Sequence, residues 1–154
     1  MSPKNYLFVL LTVLLGMLLV AGLAQFRRRR KLRALAQKWN MHFAAGDRLR
    51  LARRIVGQFP VPGAANIGVR DLLFRTGDNQ HHYIFTVDYT VGVIRGKVGR
   101  SGVAGFTEPV SRGGKVDLQP PALILAPLHL SGAPAYEHIL QNMHFQQGGD
   151  APGR

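Results

Sequence analysis

Cysteine is absent from the chain, which excludes disulfide stapling, thiolate zinc sites and cysteine nucleophiles. Acids are scarce, with eight Asp and Glu against twenty Lys and Arg and a formal net charge of +12. The eight acids are scattered singly, and only four serines occur. The inventory for nucleophilic or acid–base catalysis is therefore thin. No HExxH motif, no paired carboxylates and no internal repeat are visible. No catalytic residue, cofactor or metal ligand is assigned on these grounds.

One further absence is informative. No charged residue stands between Lys4 and Arg27, and Thr12 is the only polar side chain between Leu7 and Ala24. At about 1.5 Å per residue a helix of about 20 such residues crosses a hydrocarbon core of about 30 Å. The pattern predicts a transmembrane helix over residues 6–26, with residues 1–5 as a short extracytoplasmic N-terminus. A cleaved signal peptide is the competing reading, with Gly22 and Ala24 as small residues before a cut. One lysine precedes the apolar run and RRRRKLR follows it, and the more basic flank stays in the cytoplasm. The expected topology is single-pass, N-terminus outside, with the remaining chain as a cytoplasmic domain. Gly16 and Gly22 are not spaced as a GxxxG pair.

The positive charge is concentrated behind this run. Residues 27–54 hold eleven basic side chains and one acid, Asp47, a net +10 that leaves only +2 elsewhere. Arg27, Arg28, Arg29, Arg30, Lys31 and Arg33 are the candidates for fixing orientation and meeting anionic lipid headgroups. Nucleic-acid binding through the same arginines is the weaker alternative.

At 154 residues there is room for one domain besides the anchor. Leu32, Leu35, Ala36 and Trp39 recur at helical spacing, which predicts a basic juxtamembrane helix over 27–45, with Trp39 as a core or interface anchor. A soluble α+β domain is expected over 46–145. Its parts are a short helix capped by Asp47 and running through Val56, with Leu51, Ala52, Ile55 and Val56 buried, then a helix-breaking FPVPG segment. A strand over 66–76 and a turn over 77–79 follow. In the next strand Tyr83, Phe85, Val87, Tyr89, Val91 and Val93 alternate onto one face as core. The opposite face, His82, Ile84, Thr86, Asp88, Thr90 and Gly92, is expected to be half exposed.

Glycines at 92, 96, 99, 102 and 105 suggest a flexible basic turn before a third strand over 103–110. Another turn is expected at 112–115, and an edge strand over 123–130 interrupted at Pro127. A last helix opens at Pro134 and buries Tyr136, Ile139, Leu140 and Met143. The tail over 146–154 is expected to be disordered. The fold class is α+β around a mainly antiparallel sheet, with two or three helices.

Motifs with chemical potential are few. Gly96, Lys97, Gly99, Arg100, Ser101 and Gly102 superficially offer a phosphate cradle but lack the Walker spacing and a following helix. His81 and His82 are adjacent and would point to opposite faces of a strand, and His138 and His144 are six apart, a poor same-face spacing on a helix. Asp88 is the one carboxylate within the clearest strand.

The run from 35 to 93 resembles uncharacterised single-pass bacterial membrane proteins with a small cytoplasmic α+β domain. The matching features are Trp39 at the end of a juxtamembrane helix, the LARR segment at Leu51 to Arg54, the proline-glycine stretch at Phe59 to Gly63, and Val87, Asp88, Tyr89 and Thr90. The resemblance implies the bacterial inner membrane and transfers no site residues. The expected role is a membrane-tethered binding or scaffolding module with anionic headgroups and a protein as partners. The alternative is a small membrane-bound enzyme or ligand sensor with a pocket near Asp88 and His82.

Overall fold

The computed structural model describes residues 3–77, 80–93, 96–110 and 121–147. Its first element, α1, is one unbroken helix, Pro3–Lys38. The first two thirds carry the apolar run, fully exposed, which by length and composition can cross a bilayer, as can a signal sequence. The last third turns Leu32, Leu35 and Ala36 into the domain core.

The helix stops at Lys38, well short of residue 45. Asn40 adopts a left-handed φ of 53°, its amide bonds to the Gln37 carbonyl at 3.2 Å, and the Met41 amide bonds to Ala36 at 2.8 Å. These paired bonds form a Schellman ending, and Asn tolerates the left-handed residue it requires. The chain then re-enters as strand β1, His42–Gly46, where the sequence suggested continued helix.

Asp47 does cap the next helix, α2, Leu51–Ile55, although from outside the usual cap position: its carboxylate accepts from the amides of Leu51 at 2.7 Å and Ala52 at 2.9 Å. Leu51 and Ile55 are buried, and Ala52 packs against them. Val56 opens a short 3-10 turn, Val56–Gln58, and is 58% exposed rather than buried.

Four more strands, β2 (Ala64–Thr76), β3 (Gln80–Val93), β4 (Gly96–Pro109) and β5 (Ala122–Leu125), join β1 in one antiparallel sheet of order β1-β2-β3-β4-β5. β5 is a short edge strand ending before Pro127. Helix α3, Ala133–Gln147, closes the fold, with Tyr136, Ile139, Leu140 and Met143 buried. The expected turn at 112–115 lies outside the described residues, the expected tail over 146–154 starts instead as the last residues of α3, Gln146 and Gln147, and lies outside them beyond 147, and the turn at 77–79 is described only at Gly77.

Two further expectations are corrected. The glycine-punctuated stretch from Gly96 onward is strand, paired residue for residue with β3 from Val93↔Gly96 to Gln80↔Pro109. The second face of β3 is also core at its centre. Tyr83, Phe85, Val87 and Tyr89 face α2, while α1 and α3, from the two ends of the chain, cover Ile84 and Thr86, the latter 1% exposed. Gly105 permits the second layer, because a Cβ there would stand 2.5 Å from Ile139 Cγ2.

Candidate functional site

Where α1 leaves the apolar run and meets the sheet, the core becomes polar. Strand β2 carries a bulge between Arg70 and Leu73, so Asp71 and Leu72 together oppose Phe85. Asp71 takes a left-handed φ of 51°, a conformation that Asp accepts more readily than most residues. The bulge turns its carboxylate inward and releases its carbonyl from the ladder. Asp71 is 4% exposed, and a charge so placed requires partners. Arg28 and Arg29 provide them, with each Nε at 3.9 and 3.7 Å from the carboxylate.

The hydrogen bonds around this pair run in one direction. Tyr136 donates its hydroxyl to the Asp71 carbonyl at 2.7 Å. With that proton committed, Thr86 must be the donor in its 2.8 Å contact with the Tyr136 oxygen. The Thr86 oxygen in turn accepts from Arg28 at 3.2 Å. Burial pushes the Tyr136 phenol well above its ordinary value, outweighing the hydrogen bond from Thr86, so it remains a donor at any physiological pH. The network ties α1, β2, β3 and α3 together next to the end of the apolar run.

The six basic candidates therefore divide. Arg28 and Arg29 are half-buried parts of the domain, and Arg33 lies over the Phe43 ring at 5.5 Å. Arg27, Arg30 and Lys31 are exposed.

Asp88 and His82 share a face of β3, but Asp88 does not line the cavity beside His82. Asp88 is held by Arg70, with Nε at 2.5 Å and Nη2 at 3.0 Å, and the same guanidinium reaches Ser101 at 3.3 Å. Partial burial alone would raise the Asp88 carboxyl, yet the bonds from Arg70 and Ser101 and the charges of Arg70 and Arg28 outweigh it and hold it below the usual range. His82 instead lines a cavity of about 30 Å³ with Trp39, Met41, Arg75, Leu140 and Met143, room for a water or two. Among the described residues no group of three or more His, Cys, Asp or Glu side chains could hold a metal. His81 bonds Thr76 where β2 turns into β3, and His138 bonds Asn142 on α3.

Asp71 and the role of the Tyr136 hydroxyl escaped the sequence reading. Tyr136 was legible as core, but nothing local marked its hydroxyl, and the only hint at Asp71 was an acid inside a strand-like run. No protein-family model, curated protein or solved structure matches the chain.

Proposed function

We propose that the chain is a single-pass membrane protein whose domain acts as a tethered binding or scaffolding module on the cytoplasmic face of a bacterial inner membrane. One observation carries this reading: α1 passes without a break from its apolar run into the domain core, where Leu32, Leu35 and Ala36 are buried and Arg28 and Arg29 pair with Asp71. A flexible linker would let a domain swivel. Here the helix that crosses the bilayer is itself a core element, so the domain presents one fixed end to the lipid.

The continuous helix through Gly22 and Ala24 favours an anchor over a cleaved leader. The basic flank favours a cytoplasmic domain, since Arg27 to Arg33 would otherwise have to be translocated. A protease added outside intact spheroplasts is expected to leave the domain uncut, and cleavage in the β3–β4 hairpin under those conditions would reverse the topology. Crosslinking in intact cells followed by identification of attached proteins tests the scaffolding role.

The cavity beside His82 is the remaining support for a ligand-sensing role. It is too small for a metabolite without rearrangement, and Asp88 is engaged elsewhere.

A further inference from the structure

The strand register fixes which end of the domain faces the span. Arg28 bonds Thr86, whereas Trp39 and Met41, farther along α1, line the cavity with His82. Helix α1 thus runs antiparallel to β3, and moving along α1 toward the apolar run means moving along β3 toward Val93. Arg28 lies only about 3 Å of helix from Phe26, the last residue of the span. From Thr86 to Val93 strand β3 extends about 23 Å in that same direction. Even steeply inclined, it carries the β3–β4 hairpin into a headgroup layer about 6 Å thick.

The β1–α2 loop lies at the same end. Gly46 pairs with Arg70, which pairs with Thr86, and the chain continues past that level into Arg48, Leu49 and Arg50.

This end exposes cations beside apolar side chains. Lys97, Arg100, Arg48 and Arg50 are all exposed, and so are Val98, at 48%, and Leu49, at 38%. The acids here are engaged: Asp47 caps α2 and Asp88 is bound by Arg70. In β4, Val98 pairs with Val91 and Arg100 with Tyr89 on one face, while Lys97 pairs with Gly92 on the other. The hairpin therefore sets cations on both of its faces around an exposed valine. Exposed apolar side chains rimmed by cations suit the boundary between acyl chains and anionic headgroups.

Resting on the anchored reading above, we propose that this end of the domain is a second, peripheral contact with the same leaflet. Lys97 and Arg100 of the β3–β4 hairpin, with Arg48 and Arg50, hold anionic headgroups while Val98 dips into the interface. The domain is then pinned at two places and cannot tilt about the span.

The absence of cysteine permits a clean test on the full chain in lipid nanodiscs, using an environment-sensitive fluorophore at Val98→Cys, Leu14→Cys or Gln141→Cys. Discs are made of phosphatidylcholine alone or with phosphatidylglycerol. The expected result is an apolar signal from position 14 in both discs, an aqueous one from position 141 in both, and an apolar shift at position 98 that requires the anionic lipid. Lys97→Glu and Arg100→Glu, both exposed and checked for folding by circular dichroism, should each lower the lipid-engaged fraction at position 98 by about five-fold or more. An aqueous position 98 in anionic discs, with position 14 in lipid, overturns the second contact and leaves the anchor standing. An aqueous position 14 overturns both. Burial of position 98 that ignores lipid charge and both reversals overturns the role of the cations. A shift produced by a DNA duplex and not by anionic lipid overturns the proposal in favour of nucleic acid.

Discussion

The Tyr136 hydroxyl joins the Asp71 carbonyl to the Thr86 side chain, so removing it takes the donor from a buried carbonyl and the acceptor from the Thr86 hydroxyl proton. Tyr136→Phe is expected to cost about 1 to 3 kcal/mol in chemical denaturation, more than the net worth of one hydrogen bond, because the desolvation of the orphaned partners is not recovered. Thr86→Ala should fall in the same range. Phe85→Ala, one residue earlier on the opposite face, should cost about 3 to 5 kcal/mol through lost burial and an unfilled cavity. Alternation along β3 made the burial of Phe85 legible. The burial of Thr86 was not legible, because the helices that cover it come from opposite ends of the chain and no local pattern announces them. A Thr86→Ala variant as stable as the parent would contradict the network.

Asp88 supplies the pH-dependent test at this scale. Its carboxyl is held below the ordinary range in the folded protein, so the unfolded chain binds the proton more readily. The stabilisation from its pairing with Arg70 is present above about pH 4, near the unfolded pKa, and is lost as pH falls through the lower folded value. Asp88→Asn should flatten the acid limb of the stability profile below about pH 4 and leave the variant's response near neutral pH unchanged. An acid limb of unaltered slope would show that the pair contributes nothing, which exposed ion pairs often do not.

At the level of elements, what decided success was whether the determinant of each element was local. α3 and β3 carry their buried faces in their own periodicity, and both emerged near their true bounds. The glycines of β4 misled, since their density reads as a turn. Gly105 has a packing reason that only the placement of α3 reveals, whereas nothing in the structure explains the glycines at 99 and 102. Gly105→Ala should push α3 away from the sheet, with a destabilisation of about 1 to 3 kcal/mol from overpacking, while Gly99→Ala, with open space at its Cβ, should be far milder. Equal effects in thermal unfolding would mean that α3 does not approach β4 so closely. β1 was hidden for a different reason: its five residues continue the composition of the helix before it, and the break is made by one left-handed residue, Asn40.

On the scale of the whole molecule, the apolar run was the plainest feature of the sequence, and its direct continuation into the core is what the structure adds. The arginines behind it read as one basic cluster, yet two of them are joined to Asp71 across the helix–sheet boundary. An arginine introduced at Leu14 should cost about 2.5 to 3.5 kcal/mol on insertion, so Leu14→Arg is expected to shift the protein out of the membrane fraction or lower its abundance there. The most direct test of the anchored reading is the intact mass of the protein that remains in membranes after alkaline carbonate extraction. An uncleaved anchor predicts a carbonate-resistant species that retains residues 3–26. Recovery instead of a carbonate-soluble species beginning just after Ala24 would contradict it.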